Sequence, residues 1–190
     1  MGSELGWWIH LLVVVLIVGE IGRRALFSYF GTEIIVPKLG EMSAFSVAER
    51  TPEHMVISAV LPVANEGKQC GTIMDAILRV QLPYEQYDSA LVRGKVELKD
   101  TPREDDYFEA VLIQKHERID LVLKLSIEGR KGHSLEQAIA HMPDLQMDLI
   151  YQETGRIPEH YSKVMLKVPA EEIAALAGVA LVREGGQRNG

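Results

Sequence analysis

The chain has 190 residues, 47% of them apolar, with 27 acidic and 20 basic side chains and a formal charge of −7. That fits one globular domain with a short addition, and it excludes a collagen, a low-complexity disordered chain and a polytopic transporter. Residues 1–30 hold two acids (Glu4, Glu20) and two bases (Arg23, Arg24), so the whole −7 falls on residues 31–190. An acidic domain of this kind argues against nucleic acid as a partner.

From Leu5 to Gly19 the chain runs fifteen residues without a charge, followed by Glu20, Arg23 and Arg24 and then Ala25 to Phe30. A hydrocarbon span of about 30 Å wants roughly 20 residues. Trp7 and Trp8 suit one interface, while Glu20 can pair with Arg24 four residues on and let the arginine stem reach toward the other. The pattern predicts a helix over about 5–28 and a transmembrane anchor over 1–30, with Trp7, Trp8, Glu20, Arg23 and Arg24 as its membrane contacts. No base precedes the apolar run and no small-x-small pattern follows it, so an anchor is expected rather than a cleaved secretory signal. His10, one turn from Trp7, is expected at the interface. Arg23 and Arg24 follow the span, which favours a single-pass protein of the cell membrane with its large domain in the cytoplasm. The lone Cys70, which excludes an internal disulfide, agrees with a reducing compartment. The alternative is an extracytoplasmic domain, a frequent location for β-rich domains behind a single anchor.

Gly31 and the stretch Pro37 to Gly40 punctuate an expected linker over 31–44, after which the apolar period changes to that of strands. Met55–Val63 is nearly continuously apolar, as in a strand covered on both faces. Met74, Ala76, Leu78, Val80 and Leu82 alternate with polar residues. The same alternation recurs at Val92–Leu98, Phe108–Leu112, Leu121–Ile127, Leu145–Tyr151 and Val164–Val168. About seven strands at regular spacing predict an antiparallel β-sandwich over 45–168. Ser134 and Gln137 form a capping-box pattern that opens one inserted helix, Ser134–His141, stopped by Pro143. A last helix is expected from Pro169 to about Val182, with Glu171 and Glu172 in its first turn, and a disordered tail over 183–190.

The stretch Val60–Gly67, ending in Asn65-Glu66-Gly67, with Gly71–Leu78 after it, resembles the paired strands of immunoglobulin-like and fibronectin-type-III-like modules. The expected fold is therefore mainly β, an Ig-like sandwich behind a transmembrane helix. The chain lacks the cysteine pair and core tryptophan of antibody domains. The resemblance implies binding or scaffolding and names no ligand.

Catalytic signatures are absent: there is no G-x-S-x-G, no P-loop and no G-x-G-x-x-G, and no cofactor is expected. His133, His141 and His160, with Asp144 and Asp148, offer metal-ligand types, but their spacing matches no known site and solvated loops account for them better. Asp100, Glu104, Asp105 and Asp106 lack the glycine and alternation of a calcium loop. Cys70 beside Lys68 has no histidine placed to activate it.

The run Ile173–Val182 is apolar nearly all round and must dock on the sandwich, on the membrane or on a partner. Ala174, Ala175, Ala177, Gly178 and Ala180 give it a small-residue face suited to close packing, and Ile173, Leu176, Ala177, Gly178, Ala180 and Leu181 form the expected partner interface. The leading expectation is a membrane-anchored scaffold or accessory subunit without catalytic residues, contacting the lipid bilayer and protein partners, a second copy of the chain among them. The alternatives are a pilin- or archaellin-like filament subunit, and an enzyme using Cys70 or the His133, His141 and His160 region.

Overall fold

A computed structural model describes residues 2–182 except 83, 84, 86, 104 and 106, with side chains from Gly6 onward. The expected disordered tail 183–190, and Glu104 and Asp106 of the acidic loop, lie outside the described residues. Gly2–Phe30 forms one continuous helix, α1, longer at both ends than the expected 5–28. It ends because Gly31 adopts φ +67°, the left-handed conformation glycine enters without strain, and its N–H donates to the Phe27 carbonyl at 2.9 Å.

The stretch expected to be a linker, 31–44, is built into the domain. Ile35–Pro37 is strand β1, paired antiparallel with β3 (His54–Asn65), and Leu39–Glu41 is one 3-10 turn. A three-residue strand is too short to show as an alternating pattern. Strand β2 (Ser46–Arg50) is exposed at every position and so carries no apolar row to read.

The remaining strands are β4 (Gly71–Gln81), β5 (Ala90–Leu98), β6 (Val111–Ile113), β7 (Arg118–Gly129), β8 (Leu145–Thr154) and β9 (His160–Val168). One sheet has the order β1-β3-β7-β5 with β2 also on β3, the other β6-β4-β8-β9, and the strand pairings among the described residues are all antiparallel. Taken without β2 and β6, this is the A-B-E-D and C-F-G strand order of an immunoglobulin constant-type sandwich. The sandwich expectation therefore rests on topology as well as on periodicity.

Met55, Ile57 and Leu61 of β3 and Leu121, Leu123, Leu125 and Ile127 of β7 are buried against Leu145, Met147, Leu149 and Tyr151 of β8. In β4 the register shifts between Met74 and Ile77, with Asp75 at φ +51°. The expected row of Met74, Ala76, Leu78, Val80 and Leu82 is thereby broken, because a bulge turns one residue to the other face. Ile73 takes the core position, Met74 is half-buried, and Ala76 and Leu78 are again in the core. Asn65-Glu66-Gly67 links strands of different sheets, so it is an inter-sheet crossing.

Helix α2 (Leu135–Ala140) opens with the expected capping box: Gln137 N–H donates to Ser134 Oγ at 3.2 Å and Ser134 N–H to Gln137 Oε1 at 3.0 Å. Helix α3 (Ala170–Ala177) is shorter than the expected run to Val182, because Gly178 adopts φ +65° and ends it. The two helices pack on each other, and α2 also lies against β7 and β5.

Candidate functional site

The five predicted anchor residues fall into two groups along α1, and the expected Glu20–Arg24 pair forms. Trp7 and Trp8 meet edge to face at 5.2 Å, and Glu20 accepts from Arg23 at 2.7 Å and from Arg24 at 2.9 Å. Between Trp7 and Phe30 the described side chains of α1 are exposed apart from the half-buried Glu20. Among the described residues no helix is long and apolar enough to cross a membrane, so the expected transmembrane helix stands as a helix only. Glu20, Arg23 and Arg24 are the residues that cut its apolar run short.

The last turn of α1 is held to the sandwich by two loops. Gln69 Nε2 donates to the Phe30 carbonyl at 2.8 Å. Arg156, between β8 and β9, donates from Nη1 to the Gly31 carbonyl at 3.2 Å and lays its guanidinium 4.9 Å from the Phe27 ring and 5.5 Å from the Phe30 ring. A cation at a helix C-terminus over aromatic faces is favourable on both counts.

The segment Thr32–Ile34 is pinned from both sides. Lys68 N–H donates to the Thr32 carbonyl at 2.8 Å and Glu66 N–H to the Ile34 carbonyl at 2.8 Å. The buried Glu33 carboxylate accepts the backbone N–H of Arg156 at 2.9 Å and of Ile157 at 2.8 Å. Burial pushes the Glu33 carboxyl up, but those N–H groups, its own backbone N–H and the nearby His160 outweigh it, and the group sits below its ordinary range. Asn65, also buried, accepts from Ile34 N–H at 3.2 Å and Gly67 N–H at 2.9 Å, and donates to the Gln69 and Ile113 carbonyls. Glu33, Gln69 and Arg156 are absent from the sequence reading, and Asn65 enters it only as a turn residue. Gly155 and Pro158 are the one turn signal that could mark the Arg156 loop, whereas a buried acid in a presumed linker shows no pattern.

The predicted partner face on the C-terminal run is largely used within the domain. Ile173 and Ala177 are buried in the core, Leu176 and Leu181 are half-buried against it, and only Gly178 and Ala180 are exposed. Val182 N–H returns to the Ala140 carbonyl at 2.7 Å, tying the segment to α2. Its packing is therefore chiefly on its own sandwich.

His133, His141 and Asp144 line one open cleft of about 870 Å³ beside Tyr87 and Glu171. His160 stands elsewhere, 3.7 Å from Glu153, and Asp148 lies on β8 beside Lys163. Among the described residues no three His, Cys, Asp or Glu side chains stand together to hold a metal ion. In the acidic loop Arg103 takes Asp105 at 2.6 Å and Glu109 at 2.8 Å, and its guanidinium holds the Asp105 carboxyl down at about 2. Cys70 is exposed in the β3–β4 loop.

No family model matches this chain, and no curated protein matches it. Among solved structures it is similar to the GAE domain of GGA2p from Saccharomyces cerevisiae, at 9% identity over 73% of this chain and 98% of that one, TM-score 0.34. The yeast GGA1 GAE domain follows at 10% identity, 66% and 98% coverage and TM-score 0.30. A FixG-related protein from Vibrio parahaemolyticus stands at 11% identity, 74% and 95% coverage and TM-score 0.29. The fold assignment rests on the strand order itself.

Proposed function

We propose that this chain is a single-pass, membrane-anchored interaction or accessory subunit of a membrane complex, acting without catalysis, with its sandwich on the cytoplasmic side. The observation that carries the reading is α1: its apolar side chains are exposed around the helix while its C-terminal end is fastened to the sandwich. An exposed apolar surface of that extent marks contact with a membrane or another protein. From Trp7 to Phe27 the helix rises about 30 Å at 1.5 Å per residue, which matches the hydrocarbon thickness between two aromatic belts. Glu20, ion-paired with both arginines, leaves that trio one net positive charge, and an arginine stem can carry it to the headgroups. The same arginines lie toward the sandwich end of α1, which supports the cytoplasmic side.

Alkaline carbonate washing of membranes that contain the full-length chain tests the anchor. Retention in the pellet is expected, and release into the supernatant overturns it. Purification from detergent tests the accessory role: a stoichiometric companion chain is expected, and a lone chain counts against it.

A further inference from the structure

We infer that the free edge of β9 takes an extended, acidic segment of a partner protein as a fifth strand of the β6-β4-β8-β9 sheet. The inference rests on the interaction-module reading but not on the membrane anchor, so the two can fail separately.

Strand edges are unused rows of backbone donors and acceptors, and they are where one chain adds to another. The edges of this molecule are not equivalent. β6 has three residues, β1 has three, and β2 has five with a register shift between Val47 and Glu49. β5 runs against β4 so closely that a Cβ on Gly94 would lie 2.3 Å from the Leu78 carbonyl oxygen. β9 is different: it is nine residues long, pairs with β8 without a register break from His160 to Val168, and among the described residues has no strand on its other side. It carries no proline and no bulge, two of the usual protections of an edge.

The side chains beside that edge state the chemistry of the occupant. Successive residues alternate between faces, so Tyr161, Lys163, Met165 and Lys167 form one outward row while Val164, Leu166 and Val168 turn to the core. Tyr161 is 71% and Met165 74% exposed, large side chains that alternate with the two lysines along the row. Lys163 and Lys167 touch Asp148 and Asp144 at 3.4 and 2.7 Å, yet their side chains remain 52% and 57% exposed. Arg79 lies opposite Asp148 in the ladder and adds a third cation to the same face. On a chain of net charge −7, the strand His160–Val168 contains no acid. A second copy pairing here would bring four lysines to one face of a two-stranded ladder, which like-charge repulsion opposes. A segment with carboxylates at alternate positions and apolar side chains between them meets both the lysines and Tyr161 and Met165.

The test uses the full-length chain in detergent micelles and an acetylated nonapeptide alternating glutamate and valine, beside the same peptide with lysine for glutamate. The glutamate peptide is expected to protect the backbone amides of residues 161–167 from hydrogen exchange and to bind at least tenfold more tightly than its lysine counterpart. The double variant Lys163→Glu and Lys167→Glu should reverse that preference, and the milder Lys163→Gln with Lys167→Gln should abolish it while leaving the melting temperature in place. No binding at millimolar peptide overturns the inference. So does binding that charge reversal leaves unchanged, protection confined to β2, or protection by anionic lipid vesicles and not by the peptide. Protection at β2 would keep the module reading and move its site.

Discussion

The guanidinium of Arg156 rests 4.9 Å from the centroid of the Phe27 ring, so a turn late in the chain holds the end of its first helix. Replacing it with alanine removes that stack, the Phe30 contact and the bond to the Gly31 carbonyl. Arg156→Ala should raise hydrogen exchange at residues 31–34 by roughly tenfold, about 1.4 kcal/mol, with exchange in β3 and β7 unchanged. Equal exchange in the two proteins would show that the joint does not depend on this side chain.

Glu33→Gln replaces one of two accepting oxygens by a donor that faces the Arg156 and Ile157 N–H groups. The expected loss is about 1–3 kcal/mol at neutral pH, read from the denaturant midpoint. The pH dependence has a definite sign. The folded-state pKa of Glu33 lies below its unfolded value, so its contribution is complete above the unfolded pKa and disappears as pH falls through the folded one. The wild type should therefore lose its advantage over the variant below about pH 4. A gap that stays constant down to pH 2 would contradict this.

Asn65 makes four hydrogen bonds from a buried position. Asn65→Ala strands two N–H donors and two carbonyls, and the cost should be roughly 3 kcal/mol with an unchanged m-value. A loss under about 0.5 kcal/mol would mean that the β3–β4 loop reorganises around water.

Ile173 separates the two uses of the C-terminal run. If α3 packs on its own sandwich, Ile173→Ala should cost about 2–4 kcal/mol, whereas the exposed Ala180→Ser should stay within about 0.5 kcal/mol. Thermal unfolding of the monomer measures both. Equal small effects would return Ile173 to an intermolecular face.

The strands with a clean alternating row, β7, β8 and β9, are legible in the sequence because each has one face in the core. The capping box at Ser134 and Gln137 is legible because both halves of the motif lie within four residues. What escaped is non-local. The half-turned row of β4 depends on a bulge at Asp75, and no side-chain pattern marks a register shift before the partner strand is in place. Glu33 and Arg156 meet only when the crossover loops fold together, so neither carries a local signature. β1 and β2 fail for another reason: one is too short and the other too exposed to show a period. Of the predicted sites, the Glu20–Arg24 pair forms as expected because its spacing is that of one helical turn, and Arg23, three residues on from Glu20, joins it. The C-terminal run is legible as apolar, and its occupant is chiefly the domain's own core.

The joint at Thr32–Ile34 is tied to the sandwich at several points rather than hung from it by a single strand of chain. Hydrogen bonds to loops on both sides, with the helix end held by Gln69 and Arg156, couple the axis of α1 to the sandwich. A tilt of the helix carried through those contacts re-aims the edge of β9.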